Sequence, residues 1–417
     1  MRLGNVKKEL VLFPLCSAFT TFAQQNKGII TKDMEIEDFY QIREDFHRHP
    51  ELSGKEKETA RRVADLLKGM QPTHLYTGIG GHGVIAEYVF AEEGETLLFR
   101  ADMDAVAIEE HGGTGHDSLN PGAAHKCGHD GHTTILLVFA YLLYRYPLTK
   151  GNILLLFQPA EETGEGAMKM LEDPFFNGRH IDHVFALHNL PGYPTAAVVC
   201  RPGSFTCSVV SCSIEITGKT SHAAEPEKAL SPTPLLLQLL RTAESWDCNT
   251  PGKETYFRST LIELHIGEEA YGVAAGQGVI RFTFRAATEK HLQTRIREME
   301  EMVAAIPKTN PGYNVRLQWL EPFQANENTM KEAGWIKQAA QAQGLPYIEA
   351  EVPFAWGEDF GAFTQRYPGA LFGLGAGIET PPLHSPEYDF PNELIEKGAH
   401  IFYEIAKIAL ESREKQE

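Results

Sequence analysis

Thiolate, imidazole and carboxylate are the side-chain groups that bind transition metals. This 417-residue chain offers such donors at Cys127, His129, Glu162, His188 and His384. Cys127 and His129 stand two apart in His125–His132 (HKCGHDGH), so both can reach one point from a loop. Glu162 closes Gln158–Glu162 (QPAEE), His188 closes His183–His188 (HVFALH), and His384 sits in a Pro-rich stretch near the end of the chain. Five donors with a single thiolate among them suit two ions sharing that thiolate better than one closed structural site. Two ions a few ångströms apart can hold a bridging water and lower its pKa toward neutrality, which is the chemistry of metal-assisted hydrolysis. One soft donor among borderline ones favours zinc or manganese, then cobalt or nickel, over magnesium or calcium.

Glu161 and Glu162 are adjacent, so they cannot both face the same ion in the same way. If one binds metal, its neighbour is free to face the attacking water as general base and later to serve as acid toward a leaving amine. The bland alternative is a solvated helix start; a preceding apolar strand and a following Gly164–Gly166 turn argue against it. Cys127 could instead be a nucleophile with His129 or His132 as base, but that leaves Glu161, Glu162 and His384 without a task. Asp102 and Asp104 are either turn acids or, for Asp104, a carboxylate that orients a ligand histidine. The chain has 17 histidines; most, among them His47, His116 and His183, are read as ordinary.

The elements that must position these groups follow from periodicity. Asn152–Phe157 (NILLLF) is a continuous apolar run of the kind found in buried parallel strands. Val84–Phe90, Thr96–Arg100 (TLLFR) and His183–His188 also read as strands, and Ile36–His47, Glu56–Met70 and Thr133–Tyr146 as helices. Alternating strands and helices predict an α/β fold: a mixed, mostly parallel sheet with helices on both faces. The site residues then fall outside the carboxyl ends of strands, where such sheets bind ligands. Near Ser204 the texture changes. Ser208–Thr217, Ser259–Ile266 and Val279–Arg285 alternate as half-exposed strands around helices Pro234–Ser245 and His291–Ile306, predicting an inserted α+β domain. After Pro322 the first texture returns, with helices Asn328–Gln343 and Asn392–Ser412 around strand Ala370–Gly373. The expected division is 30–206 and 321–417 for a discontinuous metal-binding domain and 207–320 for the insert.

Composition narrows the function classes. Hydrophobic residues make up 42% and charged residues 23%, with a formal net charge of −18. Nucleic acid and anionic membranes are therefore poor partners. No stretch reaches the roughly 18 apolar residues needed to span a bilayer. The 6 cysteines are too few for a disulfide scaffold, and Cys200, Cys207 and Cys212 read as small apolar strand residues. At the N-terminus, Arg2, Lys7 and Lys8 precede the uncharged Val11–Ala23, with small residues Thr21 and Ala23 where a signal peptidase reads. Glu9 and Pro14 speak for a flexible extension instead. Residues 1–29 are one or the other, with export (periplasmic or secreted) slightly favoured over the cytoplasm.

Seven segments in order, RADMDAVAIEE, CGHDGHT, FQPAEETGEGA, ALHNLPG, TSHAAEP, GEDFGAF and LHSPEYDF, resemble the aminoacylase-like di-metal amidohydrolases related to the co-catalytic zinc carboxypeptidases. That group includes hippurate hydrolases, indole-acetyl-amino-acid hydrolases and N-acetyl-diaminopimelate deacetylases. His47–Ser53 (HRHPELS) looks like its N-terminal signature. The resemblance implies that the insert is a lid that usually makes a homodimer, that the five donors are the metal ligands, and that Glu161 is the catalytic base. It also implies that His222 in TSHAA reaches the neighbouring subunit's site to stabilise the oxyanion. The implied reaction is hydrolysis of the amide of small N-acyl amino acids or related amides. The alternatives are a dipeptidase or carboxypeptidase on the same metals, and a degenerate binding protein. The chain departs from the group in its lid. Gly272-Val273-Ala274-Ala275 replaces the usual Asn-Val-Ile-Pro, and Glu227 stands where a histidine is usual. Arg285 is either a substrate-carboxylate clamp or a solvent-facing strand residue.

Overall fold

The protein is described by a computed structural model over residues 30–411, apart from 91, 92, 112, 251, 252 and 254. The expected signal or extension, residues 1–29, lies outside the described residues. Along the chain run α1 (Ile36–Arg48), α2 (Lys57–Gly69), β1 (His74–Ile79), β2 (Gly83–Val89), β3 (Thr96–Asp102), α3 (His129–Arg145), β4 (Asn152–Gln158), α4 (Gly166–Leu171), β5 (His183–Pro191), β6 (Val198–Cys200), β7 (Gly203–Thr206), β8 (Ser208–Thr217) and β9 (Ser221–His222). Then follow α5 (Thr233–Ser245), β10 (Phe257–Ile266), β11 (Val273–Ala274), β12 (Gln277–Ala286), α6 (Glu289–Thr309), β13 (Asn314–Phe323), β14 (Asn326–Asn328), α7 (Met330–Ala342), β15 (Tyr347–Glu349), α8 (Gly361–Thr364), β16 (Gly369–Gly377) and α9 (Glu393–Glu411).

Eight strands form one sheet in the order β1-β2-β4-β3-β5-β16-β6-β15. Its centre, β4, β3, β5 and β16, is parallel, and antiparallel pairings appear toward both edges. Alternation along each strand feeds two cores. Ile153, Leu155 and Phe157 of β4, with Leu97, Phe99 and Ala101 of β3, meet α1, α2, α3, α7 and α9 on one face. Leu98, Leu154 and Leu156 meet Met170 of α4, Phe176 and Phe363 of α8 on the other. A strand covered on both sides has no polar face, which is why NILLLF is an unbroken apolar run.

A second sheet, β10-β12-β8-β13, is antiparallel throughout. Cys212, Ile214 and Ile216 of β8 and Ile280, Phe282 and Phe284 of β12 pack against Leu236 and Leu239 of α5 and Leu292, Met299 and Val303 of α6. The intervening residues, Ser211, Ser213, Thr283 and Arg281, line the face away from the helices. β13 alternates half-buried Val315, Leu317 and Trp319 with exposed polar residues, the pattern of a strand with one covered face. As an edge strand it needs only one partner, and it runs on to Phe323. Cys200, Cys207 and Cys212 are buried free thiols. Among the described residues no helix is long and apolar enough to cross a membrane.

Candidate metal centre

The site is assembled at the carboxyl ends of the central strands. β3 ends at Asp102, with Asp104 two residues on; β4 ends at Gln158, and the turn that follows carries Glu161 and Glu162. His188 lies inside β5, paired with Gly373 of β16, and the strand continues past it to Pro191. His129 is the first residue of α3, entered through Gly128 at φ +93°. That glycine is required twice over: its backbone is left-handed, and a Cβ there would come within 2.8 Å of Asn189 Nδ2. His384 also has a positive φ, +65°. Its backbone N–H donates to the Lys126 carbonyl at 2.8 Å, which ties this distant residue to the Cys127 loop. A non-glycine residue in the left-handed region costs free energy that the surroundings must offset.

The structure brings the five expected donors into one cluster. The donor atoms of Cys127, His129 and His188 lie within 4.8 Å of one another, and so do those of Cys127, Glu162 and His384. The Cys127 sulfur is common to both groups. Cys127 Sγ is 3.6 Å from His188 Nε2, and His384 Nε2 is 3.4 Å from Glu162 Oε1. The outer nitrogens of both buried histidines are held by backbone carbonyls: His129 Nδ1 lies 2.9 Å from the Asp104 carbonyl and His188 Nδ1 2.9 Å from that of Asn189. Each ring therefore turns Nε2 into the cluster, the arrangement expected of a metal-ligating imidazole. His129 Nε2 and Glu162 Oε1 are buried and have no hydrogen-bond partner, a costly state unless a cation satisfies them. The donor set and these orphaned atoms fit a pair of divalent ions.

Electrostatics point the same way. Burial alone would lower the His129 pKa, yet Asp102 and Asp104 raise it to about 10. Burial pushes the Cys127 thiol well up, and Glu162 and Glu161 push it further. Burial also pushes the Glu161 carboxyl well up, followed by Glu358 and Glu162. Such a site holds more negative groups than its own cations offset, which is the environment a bound cation relieves. The raised thiol pKa gives no support to the nucleophile alternative for Cys127, since an activated thiol needs a lowered one. His132 is not available as its base: its Nδ1 is 2.7 Å from Asp102 Oδ1 and its Nε2 2.7 Å from Asn189 Oδ1.

Glu161 is buried and adjoins the cluster, its Oε2 being 3.9 Å from His129 Nε2. Asp104 is buried with Oδ1 3.3 Å from His129 Nδ1, while its Oδ2 accepts from Ser53 Oγ at 2.7 Å and the Glu162 N–H at 3.0 Å. His222 is the one expected site residue without a contact to the cluster. It is exposed on β9, paired with Val273 of β11, and its Nδ1 accepts from the Ala224 N–H at 3.0 Å. Arg285 is half-buried, and its Nη1 donates to the Ala355 carbonyl at 2.7 Å.

Several residues of the site carry no role in the sequence reading. Arg100 is fully buried and donates to Asp102 (2.7 Å), Gln158 (2.9 Å) and Asp359 (2.8 Å), with Glu358 also paired at 2.9 Å. The Asp359 N–H in turn lies 3.4 Å from Glu161 Oε1. This guanidinium thus joins the end of β3 to the GEDF loop that backs Glu161. A charge inside the TLLFR strand was the available signal, because a buried arginine must be paired. Glu56 accepts from the Ala160 N–H at 2.8 Å and so steadies the turn before Glu161, where Ala160 is held at φ +55°. A further group, His47, His116 and Asp389, has metal-like spacing. There the Arg43 guanidinium already supplies the cation, 2.9 Å from Asp389 Oδ1 and 2.8 Å from His116 Nε2.

Residues 98–408 match the peptidase family M20/M25/M40. The chain belongs to that family. Over 388 residues, covering 90% of this chain and 88% of the other, it is 33% identical to an N-acetyl-L-cysteine deacetylase of Bacillus subtilis (strain 168). It is 29% identical to thermostable carboxypeptidase 1 of Saccharolobus solfataricus, over 88% of this chain and 94% of that one. Its fold superposes with a TM-score of 0.76 on the crystal structure of the Bacillus subtilis YXEP protein, a dinuclear metal-binding peptidase of the same family. That match has 27% identity and covers 90% of this chain and 98% of that one. This M20-family chain is therefore a hydrolase of the metallopeptidase and amidohydrolase type.

Proposed function

We propose that this hydrolase cleaves the amide bond of small N-acyl amino acids, using two divalent ions held by Cys127, His129, Glu162, His188 and His384. The observation that carries the reading is one sulfur common to two three-donor groups, with the buried Glu161 carboxyl beside them. Two such ions would polarise the amide carbonyl and make water a nucleophile near neutral pH. Glu161 takes the proton from the attacking water and passes it to the leaving nitrogen. The Asp359 N–H and the Glu56-braced turn hold Glu161 in place. Asp104 orients His129 and, through the Glu162 N–H, the turn that carries both glutamates. One thiolate, three imidazoles and one carboxylate favour zinc or manganese, with cobalt or nickel next.

Within one chain the cluster is rich in acceptors, and His222, the side chain expected to stabilise a developing oxyanion, does not reach it. We assign that role to His222 from a second copy of the chain, so the active species is a homodimer. Support comes from the exposure of His222 on the β9–β11 ribbon and its lack of contact with its own cluster. The test is hydrolysis of N-acetyl and N-benzoyl amino acids by protein loaded with manganese or zinc. Activity that disappears with chelator and returns with metal is expected; full activity in excess chelator overturns the reading. The likeness to a carboxypeptidase favours a second reading on the same site. Release of amino acids from unblocked dipeptides, with no turnover of N-acyl compounds, selects it.

A further inference from the structure

The loop between β15 and α8 carries two rings that the cluster chemistry leaves unused, Phe354 and Trp356, and Tyr193, just after β5, adds a third. Trp356 stands with its ring centroid 5.3 Å from that of His188, tilted by 46°. Phe354 lies 5.3 Å behind Trp356 at 34°, and Tyr193 lies 6.1 Å from Phe354 at 67°. All three rings are half-buried, and they form a row leading away from His188.

The row is also firmly placed. The Phe354 N–H donates to the Phe205 carbonyl at 2.8 Å, and the Phe354 carbonyl accepts from the Cys207 N–H at 2.9 Å. Arg285 of β12 reaches over to the Ala355 carbonyl at 2.7 Å. Phe205 meets Trp356 edge-on at 6.4 Å and 89°. The next residues, Glu358 and Asp359, are locked by Arg100. A ring held on both sides of its own backbone is a preformed surface, and preformed surfaces lose little entropy when they bind.

We propose that Trp356, backed by Phe354 and Tyr193, is the wall that receives a flat apolar substituent of the substrate, and so sets a preference for aromatic-bearing N-acyl amino acids over N-acetylglycine. This rests on the amidohydrolase reading above. A tilted or offset ring beside the cluster offers both buried area and a quadrupole for an aromatic partner. Differences of this kind in an apolar pocket change kcat/KM by about tenfold or more.

The experiment measures kcat and KM of the metal-loaded full chain on N-benzoylglycine, N-acetylphenylalanine and N-acetylglycine, for wild type, Trp356→Ala and Trp356→Phe, with metal content determined for each. For at least one aromatic substrate, Trp356→Ala is expected to lower kcat/KM relative to N-acetylglycine by about tenfold, mainly through KM. Trp356→Phe recovers most of that ratio, and metal content stays at the wild-type level. If Trp356→Ala does not fold, Trp356→Leu keeps the apolar bulk without the flat face and reads the same ratio. Unchanged ratios for both aromatic substrates overturn the proposal. So does an equal loss on all three substrates together with metal, because Trp356 would then only prop His188. A wild-type enzyme that cleaves dipeptides but none of the three compounds instead removes the amidohydrolase reading itself, and this inference with it.

Discussion

Glu161→Gln separates what the carboxyl does in catalysis from what it costs the fold. Glu161 is 5% exposed. Burial, and then the charges of Glu358, Glu162 and Asp359, raise its carboxyl well above the usual range. Glutamine has nearly the same size and can still accept from the Asp359 N–H, which lies 3.4 Å from Oε1. It cannot take up a proton. Turnover of an N-acyl amino acid should therefore fall by about 10²–10⁴, or about 3–5 kcal/mol of barrier, at unchanged metal content. Stability should move the other way. A carboxyl whose folded pKa lies above its unfolded value weakens the fold at every pH above that unfolded value. In chelator at pH 7 the variant should be at least as stable as wild type. The assays are single-substrate kinetics with metal analysis, and urea unfolding of the metal-free protein. A variant turning over at the wild-type rate would remove Glu161 from proton transfer. A metal-free variant that unfolds at clearly lower urea would refute the electrostatic half of the reasoning.

Arg100→Met leaves Asp102, Glu358 and Asp359 without the guanidinium they share, at side chains no more than 2% exposed. The expected loss is about 3–5 kcal/mol in urea unfolding, and a loss under about 1 kcal/mol would contradict it. His47 is buried, which lowers its pKa, but hydrogen bonds to Asp130 and Glu110 raise it from 6.5 to about 9. Its stabilisation, about 3 kcal/mol, is complete below pH 6.5 and lost as the pH passes about 9. The stability gap between wild type and His47→Gln should therefore narrow across that window, and a constant gap would speak against it. Gly128→Ala forces a Cβ to within 2.8 Å of Asn189 Nδ2 at φ +93°. It should cost about 1–3 kcal/mol and weaken metal binding in a zinc titration, since Asn189 also holds His132 and His188. Unaltered unfolding and titration curves would show the contact to be harmless.

The central sheet was legible because its strands are buried on both faces and its helices are long and periodic. Ile153–Phe157 and Ile135–Tyr144 are unbroken apolar runs. The short edge strands β6 and β15, with three residues each, carry too little pattern to be read, since pairing with a neighbour rather than local preference makes them strands. β13 is longer and alternates over Val315–Trp319 as a strand with one covered face. Roles within the site were unevenly legible. Donor types singled out Cys127, His129, Glu162 and His188 near strand ends and His384 in a Pro-rich loop, whereas Arg100, Glu358 and Asp359 lay in quoted motifs without a task. Their meaning depends on who meets whom across the 259 positions between Arg100 and Asp359.

The chain itself determined which chemistry is available: residue type fixes whether a side chain can donate to a cation, and apolar period fixes which segments must be buried. Convergence is a different kind of fact. Sequence separation says nothing about distance once loops close, and loop closure grows costly only slowly with length. That His384 comes to Glu162, that Trp356 leans on His188 while His222 stays out on its ribbon, and that one guanidinium serves three carboxylates were settled only when the sheet, its helices and the inserted sheet packed together.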